Sequence, residues 1–242
     1  MDNLLGEFFG TMILITFGCG NVANMNLNKS KAQGGGWVCL AFGWGFAVMM
    51  GAFTSITLGA PQADLNPAIT LVKTFMGVYT VPQFFATSAI QILGAIAGSI
   101  LVYLLFLSHW KETKDKTIKL CVFATKPAIR DKFANFLNEF LGTAILMFGI
   151  WMIVVGRFGV NVPADYVPFF IGLLIAALTF SFGGPTGLAL NPARDFGPRI
   201  AHAILPIADK GDSDWAYSWI PIVAPCCGAL TAYFLAKILG VV

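Results

Sequence analysis

The chain is written twice, and each copy holds an odd number of membrane-length apolar runs. Glu7-Phe8-Phe9-Gly10-Thr11 is answered 132 positions later by Glu139-Phe140-Leu141-Gly142-Thr143. Leu65-Asn66-Pro67-Ala68 is answered 125 positions later by Leu190-Asn191-Pro192-Ala193, and Gly94-Ala95 134 positions later by Gly228-Ala229. Matches in the same order at nearly the same offset mark an internal duplication. The first copy carries long apolar runs over 4–23, 37–58 and 84–107, and the second over 133–155, 167–182 and 219–239. Three crossings deliver the second copy to the opposite face of the membrane. The copies are then related by a two-fold axis lying in the membrane plane.

Composition requires the bilayer. Charged residues make up 11% of the chain, against about 25% in a soluble domain. With a mean hydropathy of +0.77, too little polar surface exists to cover a soluble globule, a coiled coil or a disordered chain. The net charge of +3 leaves no phosphate-binding footprint and excludes a nucleic-acid partner. At about 20 residues per span, the 242 residues are used up by the membrane helices and their connections. The expected fold is an all-α membrane protein of one domain, 1–242. It has six transmembrane helices plus two re-entrant half-helices, with inverted repeats over about 1–107 and 133–242 joined by a loop, 108–132. The Met-Asp-Asn start has no basic stretch and no small-residue cleavage pattern, so the first run reads as a retained span rather than a signal peptide. Cys19, Cys39, Cys121, Cys226 and Cys227 form no CxxC pair; they read as packing residues, implying neither metal nor disulfide.

The half-helices are the segments 66–78 and 191–205. Each is too short to span as a helix, and each opens on Asn-Pro-Ala. Proline suits the first helical position, where its missing N–H is no loss, and asparagine is a favoured N-cap before it. Entering from opposite faces, the two starts can meet near the midplane. Irregular backbone at that depth survives only where it lines a cavity or is buried in protein. A helix N-terminus carries roughly +0.5 charge, so two facing starts repel a cation, a hydrated proton included. The side-chain amides of Asn66 and Asn191 can donate to a passing oxygen, orienting a water or hydroxyl and interrupting proton hopping.

Other polar residues in apolar surroundings are candidates by cost alone. Arg194, three residues after Asn191, stays charged and offers five donors. Asp195 beside it reads as structural support. Glu7 and Glu139 are expensive buried carboxylates at matching positions of the repeat. That match favours support, each accepting backbone N–H groups from one re-entrant loop, over a proton relay. His202 reads as a packed polar residue and His109 as a solvated one.

Taken together, the twin Asn-Pro-Ala motifs, the paired Glu-Phe-x-Gly-Thr starts and the arginine after the second motif resemble the major intrinsic protein family, the aquaporins and aquaglyceroporins, over essentially the whole chain. The stretch Leu190–Arg199, with Asp195 directly after Arg194, is similar to the glycerol facilitator branch. The resemblance implies a passive channel for glycerol, other small neutral solutes and water that excludes protons and ions. It implies no enzyme activity and no cofactor. The partners would be membrane lipid and further copies in a homotetramer with one pore per subunit. The location would be the cell membrane, with both termini cytoplasmic. It also implies a selectivity filter above the second motif, whose positions fall on Trp44, Thr179, Leu188 and Arg194.

Departures from the branch sharpen the expectations. Phenylalanine is usual where this chain has Leu188, and glycine is common at Thr179, so one aromatic wall is missing and the filter is expected to be wide. The loop 59–64 is about two residues longer than usual in that branch, and Asp64 stands where a histidine is common. No filter histidine of the water-selective kind is found. A same-family channel tuned to undissociated lactic acid, urea or ammonia is the alternative reading. A secondary transporter would need coupling-ion ligands at the midplane, and an enzyme would need a nucleophile–base pair or a motif such as HExxH or GxSxG. The seven basic residues of 111–132 would place that loop inside by charge counting, whereas the family topology places it outside.

Overall fold

The computed structural model describes residues 3–155 and 162–242, so Met1 and Asp2 lie outside the described residues. The first repeat consists of α1 (Leu4–Asn26), α2 (Gly36–Thr57), the short α3 (Pro67–Phe75) and α4 (Val81–Leu105). The link holds α5 (His109–Glu112) and α6 (Lys116–Phe123). The second repeat consists of α7 (Lys132–Val154), α8 (Val167–Phe182, entered through a 3-10 turn), the short α9 (Pro192–Ile204) and α10 (Ile220–Ile238). Among the described residues, six helices are long and apolar enough to cross a membrane, and α3 and α9 are the half-helices. Large side chains such as Leu5, Phe46, Phe85, Leu105, Phe133 and Ile238 stay exposed on the outer faces, as lipid contact requires.

Packing follows the duplication. α1 lies against α2 and α4, and α7 lies against α8 and α10. Each half-helix crosses to the other repeat: α9 packs on α4, and α3 packs on α10. α2 meets α8 across the pseudo-axis. The Gly94/Gly228 match belongs to this geometry. A Cβ on Gly94 would stand 2.3 Å from the Phe8 carbonyl oxygen, and one on Gly228 would stand 2.1 Å from that of Phe140. Only glycine lets the third helix of each repeat approach the first so closely.

The link, expected as a loop, carries two short helices and buried aromatic residues. Asp115 caps α6, its Oδ1 accepting from the N–H groups of Thr117 at 2.7 Å and Ile118 at 3.3 Å. Trp110 is buried, stacked between Tyr103 and Phe123 at ring separations of 6.1 and 5.5 Å. His109, expected in solvent, has Nδ1 3.0 Å from the Asn28 carbonyl. A charge count hides this because two aromatics of the link, Trp110 and Phe123, stand beside the lysines, and their burial outweighs the solvation of the flanking charges.

Candidate functional site

The site is built on two helix starts with nearly identical backbones. Asn66 sits at φ −156°, ψ 114° and Asn191 at φ −149°, ψ 110°. Asn66 Oδ1 accepts from the Ala68 N–H at 2.9 Å. Asn191 Oδ1 accepts from Ala193 N–H at 2.9 Å and from Arg194 N–H at 3.2 Å. Both are N-caps as the sequence predicts. The two starts are also bonded to each other. Asn66 Nδ2 donates to the Leu190 carbonyl at 2.9 Å, and Asn191 Nδ2 donates to the Leu65 carbonyl at 2.7 Å. An amide has two N–H bonds. One on each asparagine is therefore spent across the pseudo-axis, and one remains for another oxygen.

The loops feeding these starts are strained in the same way. Leu65 and Leu190, each just before its asparagine, lie at φ 52° and 53°; Ala63 and Leu188, two residues earlier, lie at φ 42° and 52°. Left-handed backbone costs a non-glycine residue roughly 1–2 kcal/mol. The buried carboxylates hold it in place. Glu7 accepts from the N–H groups of Asp64 and Leu65, both at 2.8 Å, and from Gln91 Nε2 at 2.8 Å. Glu139 accepts from Ala189 N–H at 2.9 Å, Leu190 N–H at 2.9 Å and the Thr186 hydroxyl at 2.7 Å. The glycine one turn further along each helix has a matching duty. The side chains of Leu65 and Leu190 would each lie within 2.8 Å of a Cβ at Gly10 and Gly142 respectively, and at Gly10 the Gly51 carbonyl oxygen would stand 2.8 Å away as well.

The two mouths then differ. Beside α3, the buried Asp64 carboxylate forms an ion pair with Lys73 and accepts from the Thr70 hydroxyl at 3.0 Å. Gln91 Nε2 also donates to Thr70 at 3.0 Å, linking this pair to Glu7. The departure noted at Asp64 is thus a closed polar cluster. Beside α9, Asp195 pairs with Arg199, not with its neighbour Arg194: Arg199 Nε is 2.8 Å from Asp195 Oδ1, with both side chains fully buried. Arg194 is left with a single protein acceptor among the described residues, the Phe123 carbonyl 3.2 Å from Nη1. Its guanidinium carbon lies 3.9 Å from the centre of the Trp44 ring, an arrangement that favours cation–π attraction.

Trp44 and Arg194 both line a cavity of about 450 Å³, together with Trp37, Cys121, Thr125 and Gly187. The other two expected filter residues sit differently. The Thr179 hydroxyl donates to its own helix at Ile175 O, 2.8 Å away, while its carbonyl accepts from Trp37 Nε1 at 3.0 Å. Its donor is therefore already used, leaving lone pairs only. Leu188 packs with Leu146, Leu178 and Leu190 and does not line that cavity. His202 is buried with Nδ1 2.9 Å from the Ser213 hydroxyl, a packed polar residue. Sequence reasoning missed Gln91, Lys73, Thr125 and Arg199. Lys73 and Arg199 could have been found as cations one or two turns along a half-helix, but Gln91 and Thr125 carry no local signal.

Inverted three-helix repeats with two half-helices bonded start to start, and the buried Arg194 beside them without a carboxylate partner among the described residues, define a membrane channel. The major intrinsic protein family model matches residues 1–235, and the chain belongs to that family; it is a multi-pass membrane channel and not an enzyme. Over 98% of its length it is 48% identical to glycerol uptake facilitator protein 3 of Lactiplantibacillus plantarum, covering 96% of that protein. Over 95% of its length it is 48% identical to a probable glycerol uptake facilitator protein of Thermotoga maritima, again covering 96%. The solved aquaglyceroporin from Plasmodium falciparum superposes with a TM-score of 0.83 at 29% identity, covering 98% of this chain and 95% of that one.

Proposed function

We propose that the protein is a passive channel carrying glycerol, other small neutral solutes and water, and excluding protons and ions. The observation that carries the reading is the crossed pair Asn66–Leu190 and Asn191–Leu65. It brings two positive helix ends together at one level and leaves one amide N–H on each asparagine. A solute oxygen bound there is oriented by donors on both sides, and a cation meets two like-signed dipole ends. Arg194 adds a fixed charge that Asp195 does not neutralise, together with donors for hydroxyl groups. Trp44 supplies an apolar face for carbon. Trp44, Thr179, Leu188 and Arg194 form the selectivity filter in this reading, with Thr179 acting as an acceptor and Leu188 as an apolar wall. Glu7, Glu139 and Asp195 are supports.

The relatives named for glycerol uptake favour glycerol over lactic acid, urea or ammonia as the main solute. The active form in this reading is a homotetramer in the cell membrane with both termini cytoplasmic, which puts α5 and α6 outside. The decisive experiment reconstitutes the chain into liposomes and follows glycerol-driven swelling by light scattering, with a pH-sensitive dye inside. Rapid, unsaturated glycerol entry without acidification or alkalinisation is expected. Proton movement coupled to glycerol would overturn the mechanism.

A further inference from the structure

Arg194 and Asp195 are neighbours on α9, and each grips the same short segment leaving α6. Arg194 Nη1 donates to the Phe123 carbonyl at 3.2 Å. Two residues on, Asp195 Oδ2 accepts from both the N–H and the hydroxyl of Thr125, at 2.7 and 2.6 Å. Arg199 closes the ring: its Nη2 is 2.9 Å from the Thr125 carbonyl and 3.0 Å from Asp195 Oδ2, and its Nη1 is 2.7 Å from the Ser213 carbonyl. Thr125, Asp195 and Arg199 are almost wholly buried. The segment itself is extended where α6 ends, with Ala124 at φ −120°, ψ 156°. It has no helical bonds of its own beyond that point to fix its height above α9.

The Phe123 carbonyl is what turns the Arg194 guanidinium onto Trp44, and its position depends on how residue 125 is anchored. Bonds from a hydroxyl to a carboxylate are short and about twice as strong as neutral ones. We propose that Thr125 is a positioning residue for solute selection. Its hydroxyl, held by the Asp195–Arg199 pair, sets the Phe123 carbonyl and through it the angle at which Arg194 meets a solute. This rests on the reading of Arg194 as a filter residue. It explains why an aspartate follows that arginine when the two do not pair. Asp195 holds the loop that aims its neighbour, and Arg199 cancels the charge it would otherwise set beside the pore.

The test uses the full chain in liposomes, measuring the ratio of glycerol to four-carbon polyol permeability for Thr125→Val, Thr125→Ala, Thr125→Ser and Arg194→Lys. Thr125→Val keeps shape and backbone N–H and removes only the hydroxyl. It should lower the ratio about threefold, within the range seen for residues that touch no ligand, and Thr125→Ser should restore it. In the Arg194→Lys background, Thr125→Val should have no further effect. If Arg194→Lys shifts the ratio and neither Thr125→Val nor Thr125→Ala does, Thr125 does not position the arginine and the proposal is wrong. If Arg194→Lys itself leaves the ratio unchanged, the filter reading fails and the proposal falls with it. If the Val and Ala variants fail to assemble while Ser assembles, Thr125 is a folding residue, which also overturns the proposal.

Discussion

Glu139→Gln isolates the support role of a buried carboxylate. The wild-type side chain faces two adjacent backbone donors, Ala189 and Leu190, both at 2.9 Å, and the Thr186 hydroxyl at 2.7 Å. A glutamine oxygen in the Oε2 place can still accept from both N–H groups, at 2.9 and 3.1 Å, but the charge is gone and its NH2 takes the Oε1 place, facing the Ala189 N–H and the Thr186 hydroxyl. One charge-assisted bond is lost and a buried donor is left unpaired, which together cost about 3 kcal/mol. No slack absorbs the loss, because Leu188 and Leu190 are already in the left-handed region and depend on this carboxylate to stay there. At roughly 2–4 °C per kcal/mol for a chain of this size, the unfolding midpoint should fall by about 6–12 °C. Thermal unfolding of purified protein in detergent, read by tryptophan fluorescence, measures the shift, and liposome swelling measures the residual flux. The protein that does fold should still conduct glycerol. Wild-type stability with abolished transport would refute the support role and favour a proton relay.

Lys73→Met should cost about 2 kcal/mol, a buried-pair penalty reduced for the lysine's partial exposure. The double variant Asp64→Asn/Lys73→Met should regain most of it, because no lone carboxylate then sits beside Glu7; equal midpoints for single and double variants would show that the pair does not matter. Leu188→Phe puts a larger ring where leucine now packs with Leu146, Leu178 and Leu190. It should turn toward the pore and cut four-carbon polyol flux about tenfold more than glycerol flux; equal falls in swelling rate would mean Leu188 does not set the width. Burial pushes the Cys121 thiol above its ordinary value, and only the thiolate reacts. Its maleimide labelling, followed by mass spectrometry, should therefore keep rising by about tenfold per pH unit through the value near 8.5 at which a free thiol levels off; a plateau below that pH would contradict the burial.

The repeat made most of the fold legible. Once Glu7/Glu139, Asn66/Asn191 and Gly94/Gly228 are set side by side, topology, half-helices and the carboxylate supports follow from symmetry and the cost of buried charge. What stayed hidden is what symmetry does not repeat. Thr125 lies 70 residues from Asp195, in a link with no counterpart in the other repeat, so no pattern points to it. The partner of Asp195 was equally hidden, since adjacency suggests Arg194, yet helical geometry puts i and i+4 on one face and gives Arg199. The side-chain amides were legible as donors, but that half of their capacity is spent on the opposite loop depends on two chain segments meeting, which only the folded structure supplies.

Symmetry and its breaking have separate physical roles at this site. Positions that must hold irregular backbone at membrane depth are the same in both repeats: a glutamate, a bare glycine one turn on, a left-handed leucine and a capping asparagine. The need is identical on both sides, because an unsatisfied N–H costs the same wherever it is buried. Positions just past the caps have diverged. Three residues after Asn66 stands Ile69, and three after Asn191 stands Arg194; four after them stand Thr70 and Asp195. Asp64 and Lys73 cancel each other at the first mouth. Asp195 and Arg199 cancel at the second, leaving Arg194 as the uncompensated charge. A path in series is governed by its highest barrier. A second fixed cation would slow neutral solutes and add desolvation cost while contributing little further discrimination. On the proposed filter reading, one charged residue beside two symmetric dipole ends therefore does the sorting, and the opposite mouth is free to be neutral.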